Sequence, residues 1–190
     1  MNLIIFGPPG AGKGTQSKFI SKKYNLYQLS TGELLRKEIK DKTDLGYQIS
    51  SIINAGELVS DNIVNKLIEK FIAKDIYKNR LIFDGYPRNL YQAKNLDNLL
   101  NKYKQKIDLV LKLSVSLETI KKRISERQTQ ENRADDSEKI AIKRYKNYDL
   151  SISTVIEYYK QSNLLKVING EASIAEINVE ISDLIETIKG

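Results

Sequence analysis

The sequence predicts an α/β fold, a single five-stranded parallel sheet flanked by helices. Three observations carry this expectation. Short apolar runs alternate with longer helix-compatible stretches along the 190 residues, the pattern of a parallel sheet covered on both faces. Glycine and proline close the first and third runs, at Gly7-Pro8-Pro9-Gly10 and Gly85-Tyr86-Pro87. Two Ser-x-x-Glu boxes, Ser30 to Glu33 and Ser173 to Glu176, follow apolar runs and mark helix starts.

From the N-terminus, Asn2 to Phe6 reads as a buried strand and Lys13 to Tyr24 as the helix after it. Leu26 to Leu29 is the second strand, and the Ser30 box opens the next helix. From Asp61 onward, Ile63, Val64, Leu67, Ile68, Phe71 and Ile72 recur at helical spacing. Arg80 to Asp84 is a compact strand ending in a carboxylate, expected beside the first, and Leu90 to Tyr103 is helical. Asp108 to Leu113 is the fourth strand. A helix over 117–126, a polar loop over 128–134 and a long helix from about Asp136 to Tyr159 follow. Leu164 to Ile168 is the last strand, and the Ser173 box opens the final helix. Two segments break the strand–helix alternation, 30–59 and 127–136, and both are candidates for mobile covers over a site.

Composition narrows the chemistry. The chain has no cysteine and no histidine. Disulfides, thiolate metal sites, a histidine general base, a Ser/His/Asp triad and the usual zinc sites are therefore excluded. Carboxylates, amines, guanidinium groups and backbone amides remain. A net charge of +7 suits either a solvated lysine-rich surface or a polyanionic ligand. The apolar run Leu3 to Phe6 is too short for a signal peptide, and no stretch reaches the length of a membrane span. The expectation is a cytoplasmic, monomeric protein with small-molecule substrates and no nucleic-acid or membrane partner.

Gly7-Pro8-Pro9-Gly10-Ala11-Gly12-Lys13-Gly14-Thr15 lies between a predicted strand and a predicted helix. Small residues let the backbone wrap an anion with its amides pointing inward, and the helix adds its positive end. Lys13 supplies a mobile cation. The general phosphate-loop pattern places Ser or Thr directly after the lysine. Here Gly14 takes that place and Thr15 follows, an ending found in nucleoside monophosphate kinases.

A second constellation follows the third strand. Asp84 can hold Mg²⁺ through its water shell. Gly85 permits close approach, Arg88 can bind phosphate with both arms, and Gln92 offers an amide to the edge of a base. Seven of the 31 basic residues are arginine, and six of these fall in or near the special segments: Arg36, Arg88, Arg123, Arg127, Arg133 and Arg144. In a chain that otherwise uses lysine, arginine marks places that need a planar fork. The competing reading is a set of helix-face salt bridges, such as Arg123 with Glu126.

The stretches 7–16, 29–36, 56–61 and 84–93, with the run from Arg123 to Asp136, resemble adenylate kinases of the short-lid type, and the match runs nearly end to end. The resemblance implies a core (1–29, 60–125, 137–190), a monophosphate-binding segment at 30–59 and a lid at 126–136. It implies ATP binding by Gly10, Ala11, Gly12, Lys13, Gly14, Thr15, Arg127 and the backbone near Ala172. It implies AMP binding by Thr31, Arg36, Glu57, Leu58, Val59, Gly85, Tyr86, Pro87, Arg88, Gln92, Arg133 and Arg144. Lys13, Arg88, Arg123, Arg133 and Arg144 would be catalytic, Asp84 would serve Mg²⁺, and no zinc is expected. Gln28 stands where histidine is common, Tyr86 where phenylalanine is common and Asn89 where threonine is common. Asn89 is shared with the sister family acting on UMP and CMP, whereas Thr31 and Gln92 are the residue types of the AMP enzymes. Two rivals follow: a UMP/CMP kinase, and a nucleic-acid-binding protein using the basic surface.

Overall fold

The computed structural model describes residues 1–131 and 137–189. Five strands form one sheet: β1 (Leu3–Phe6), β2 (Tyr27–Ser30), β3 (Leu81–Asp84), β4 (Leu109–Ser114) and β5 (Leu165–Asn169). Every pairing is parallel and the spatial order is β2-β3-β1-β4-β5. The helices are α1 (Lys13–Tyr24), α2 (Thr31–Lys40), α3 (Asp44–Asn54), α4 (Asp61–Ile72), α5 (Leu90–Lys102), α6 (Leu117–Glu131), α7 (Glu138–Gln161) and α8 (Ile174–Lys189), with a 3₁₀ turn at Asp75–Tyr77.

Strand alternation divides the interior into two cores. Ile4, Phe6, Leu81, Phe83 and Val110 point into one, with residues of α4, α5 and α7. Leu3, Ile5, Ile82, Leu109, Leu111 and Leu113 point into the other, with residues of α1, α6 and α8. All four residues of β1 are buried, and each such side chain contributes about 1.5–3 kcal/mol. Asn2 is buried just before β1 and stays there because it is satisfied. Its Nδ2 donates to Gln105 Oε1 (3.2 Å) and Lys106 O (3.0 Å), and its Oδ1 accepts from Leu81 N (3.1 Å).

Local chemistry explains most element ends. Ser30 Oγ accepts from Glu33 N to cap α2. The Ser173 box closes in both directions: Glu176 N donates to Ser173 Oγ, and Ser173 N donates to Glu176 Oε2. Asn89 Oδ1 accepts from Gln92 N at the head of α5. Strand boundaries differ from the sequence expectation by a residue or so. One difference is larger: residues 128–131, expected in a polar loop, continue α6 to Glu131. Glutamine, glutamate and arginine are good helix formers, and Thr129 Oγ1 folds back onto Ser125 O (3.2 Å), so a polar run here is compatible with helix.

In the segment after β2, α2 and α3 form a tight hairpin. A Cβ on Gly46 would lie 2.1 Å from Glu38 O, so the two backbones approach as only glycine allows. The carboxyl ends of all five strands lie on one side of the parallel sheet, where open α/β sheets bind ligands.

Candidate active site

A single cavity of about 670 Å³ opens over that edge. It lies within the size range of nucleotide and cofactor sites. The loop after β1 lines one part, with Gly10, Ala11, Gly12, Lys13, Gly14 and Thr15. Gly10 has φ 85°, and a Cβ there would meet Ile124 at 2.9 Å, so the loop requires glycine twice over. Lys13 Nζ folds back on the loop, donating to Gly7 O (2.8 Å) and Pro8 O (3.1 Å). Burial lowers its pKa to about 8, with Asp84 opposing the shift and Arg88, Arg144 and Arg127 adding to it.

Asp84 ends β3, paired in register with Ile5 of β1, which sets its carboxylate beside the loop. Gln28 Nε2 donates to its Oδ2 (2.9 Å). Gly85 follows with φ 79°, and a Cβ there would press on Thr31 Oγ1 at 2.9 Å. Thr31 Oγ1 and Arg88 Nε both donate to Gly85 O, at 3.0 and 2.8 Å. Burial, then Arg144, lowers the pKa of Arg88 to about 10, while Asp84 raises it and Arg36 lowers it further. Several guanidinium groups and an ammonium thus share one low-dielectric pocket, poised for a ligand of opposite charge. Arg123 stands between loops: Nη1 donates to Ala11 O (3.4 Å) and Nη2 to Gly170 O (3.0 Å).

The other part of the cavity is lined by Thr31, Arg36, Glu57, Leu58, Val59, Gly85, Pro87, Arg88, Gln92 and Arg144. Glu57 is tied to α7 by Lys143 Nζ (3.0 Å).

A family model described as adenylate kinase matches residues 5–164. An adenylate kinase of Pelagibacter ubique is 42% identical over 98% of this chain and all of its own length. Adenylate kinases of two Prochlorococcus marinus strains are 41% and 43% identical, each over 95% of this chain and 96% and 95% of their own. The chain belongs to the adenylate kinase family. It is accordingly a nucleoside monophosphate kinase, and the UMP/CMP alternative is not favoured.

As an adenylate kinase site, the cavity gathers nearly every residue singled out from the sequence, including Arg123, Arg127, Asp84 and Ala172. Two differ. Arg133 lies outside the described residues. Tyr86 does not line the cavity: its ring is fully buried in the first core. Its hydroxyl donates to Asn65 Oδ1 (2.7 Å) and accepts from Asn95 Nδ2 (3.3 Å). Burial pushes that hydroxyl up to about 12. The side chain is structural because the core, not the ligand, surrounds it.

Sequence reasoning missed the apolar wall of Leu35, Ile53, Val64 and Ile152, and with it Asn147 and Tyr148. Arg144, Asn147, Tyr148, Ser151 and Ile152 follow the i, i+3, i+4, i+7, i+8 spacing of one helix face, so extending Arg144 along its helix would have found four of them.

Among the described residues no group of three acidic side chains could cage a metal ion. The Asp84 carboxylate beside the phosphate loop suits a Mg²⁺ ion that would be held chiefly by phosphate oxygens and water. No helix among the described residues is long and apolar enough to cross a membrane.

Proposed function

We propose that this chain transfers the γ-phosphoryl group of ATP reversibly to AMP, giving two ADP, with each substrate held by one part of the cavity. The observation that carries this reading is the joining, in one cavity, of the glycine-rich loop with the Arg36, Arg88, Gln92 and Arg144 wall. The loop amides, Lys13, Thr15 and Arg127 hold the donor phosphates, and the backbone at Ala172 meets the donor base. Thr31, Arg36, Glu57, Leu58, Val59, Gly85, Pro87, Arg88, Gln92 and Arg144 hold the acceptor, its base against Gln92 and its phosphate among the arginines; Tyr86 contributes through its backbone alone. Arg133 adds a further cation from the lid.

An ionised oxygen of the acceptor phosphate attacks the γ-phosphorus as the bond to the β,γ-bridging oxygen breaks, and the leaving ADP keeps that electron pair. No proton has to be moved, which suits a site without histidine. Catalysis is positioning and charge neutralisation. Lys13 leaves the carbonyls of Gly7 and Pro8 for the donor phosphates. Arg88, Arg123, Arg133 and Arg144 offset the charge that spreads over the moving group. Asp84 would hold Mg²⁺ through water, and such an ion bound with the donor would supply charge neutralisation at the phosphate oxygens. Segment 30–59 closes over the cavity and helps exclude water as a competing acceptor, while positions 132–136 of the lid segment lie outside the described residues. The reading takes the protein as a monomer.

Purified protein with MgATP should be offered AMP, CMP, UMP and GMP in turn. With the diphosphate formed from each acceptor as the readout, AMP is expected to be the preferred acceptor, and a preference for CMP overturns the reading.

A further inference from the structure

Gln92 faces two ways, and one of those ways is already fixed. Its side chain is buried to 3% exposure and lines the cavity. Its Oε1 accepts from Arg88 N (2.7 Å), and its Nε2 donates to Asp61 Oδ1 (2.7 Å). A backbone N–H cannot accept and a carboxylate cannot donate, so turning the amide over would set NH₂ against N–H and oxygen against carboxylate. Asp61 is held in turn: Asn89 Nδ2 donates to both of its oxygens, at 3.1 and 3.0 Å. It also sits in the first turn of α4, where the helix end favours an anion. Asn89 is itself fixed as the cap of α5, through its Oδ1. Neither Asp61 nor Asn89 lines the cavity.

A carboxamide has two lone pairs and two hydrogens. The protein uses one of each, and one of each remains, in a set order along the amide. We propose that Asp61, braced by Asn89, is a positioning residue that locks Gln92 in the orientation that accepts a 6-amino purine and rejects a 6-oxo purine. The inference rests on the reading above, in which Gln92 meets the acceptor base. Adenine presents a donor at N6 beside an acceptor at N1, matching the free lone pair of Oε1 and the free hydrogen of Nε2. Hypoxanthine and guanine present an acceptor at O6 beside a donor at N1. In the same pose, with the phosphate anchored among the arginines, they oppose oxygen to oxygen and N–H to N–H. A site whose buried polar groups go unmatched rejects a ligand far more strongly than one lacking a methylene. The side chain that touches the base does not by itself decide the choice, since an unlocked amide turns over to suit either base.

AMP and IMP differ only in this pair of positions, which makes them the probes. Steady-state kinetics with MgATP should compare both acceptors for the wild type, Asp61→Asn and Asn89→Ser. Asp61→Asn can donate to a turned-over Gln92 as readily as accept from the native one, so it removes one of the two contacts that oppose the turn and leaves the Arg88 N–H as the other. The AMP-to-IMP ratio of kcat/KM should fall roughly tenfold, with kcat on AMP changed much less, the size expected for one unmatched buried polar contact. Asn89→Ser keeps a capping oxygen and deletes only the donors to Asp61. It should lower the ratio by a smaller factor, about threefold, and it serves if Asp61→Asn does not fold. A ratio within twofold of wild type in the folded variants overturns the lock, as does a wild type that uses IMP as well as AMP. A wild type that does not phosphorylate AMP defeats the functional reading instead.

Discussion

Lys13 is the residue whose chemistry most depends on whether the site is full. It is buried among the loop and other cations, and burial lowers its pKa to about 8. Phosphate oxygens would restore the charged form. Above pH 8 the free protein has lost that proton and the complex keeps it, so donor binding takes a proton up. Calorimetry at pH 8.5 in two buffers of different ionisation enthalpy should show uptake that is greater than at pH 7 and absent in Lys13→Met. The same shift acts on folding. The unfolded chain binds this proton more tightly, so Lys13 destabilises the folded protein below pH 8, and that penalty disappears as the pH rises from about 8 to the ordinary lysine value. For turnover, Arg88→Ala should cost about 10²–10³ in kcat, the size seen for one preorganised donor, measured with saturating AMP and ATP. An Arg88→Ala enzyme within a few-fold of wild type contradicts its assignment. The sequence made Lys13 and Arg88 legible because they sit in contiguous motifs. It did not reveal the Asp61–Gln92 contact, whose partners stand 31 residues apart and meet only when α4 lies against α5.

The α2–α3 hairpin tests how far an element is fixed by one contact. Gly46→Ala puts a Cβ into the carbonyl of Glu38, and no side chain can yield there because the obstacle is backbone. A loss of about 1–3 kcal/mol or more is expected in urea unfolding, with KM for AMP rising more than KM for ATP, since the hairpin leads into the acceptor wall. Removing the α5 cap with Asn89→Ala should cost about 1 kcal/mol in the same assay. Elements whose signals are local were readable in advance: α8 begins where its reciprocal Ser173–Glu176 bonds begin, and β1 ends where its apolar run ends. The end of α6 was not, because exposed helix and exposed loop share a composition. The direction of the Tyr86 side chain was not legible for a related reason. A residue between two site residues in sequence can turn the other way, and only the packing around it decides.

At the scale of the molecule, the acceptor wall and α7 are bridged by Lys143 and Glu57, both substantially exposed. An exposed pair contributes about 0–1 kcal/mol, so Lys143→Ala should leave unfolding nearly unchanged. A larger effect would show that the bridge does more than dress the surface. The order of synthesis bears on β1 more than on any other element. This strand is made before the other four, yet it lies in the middle of the sheet, and its two neighbours end only at Asp84 and Ser114. Its alternate residues feed two different cores, so neither core can form around it early. The phosphate-binding loop, complete as a stretch of chain by Thr15, has no platform until β3 and β4 have been made. A nascent chain cut short in that interval presents Leu-Ile-Ile-Phe with both edges unpaired, an attractive segment for a chaperone.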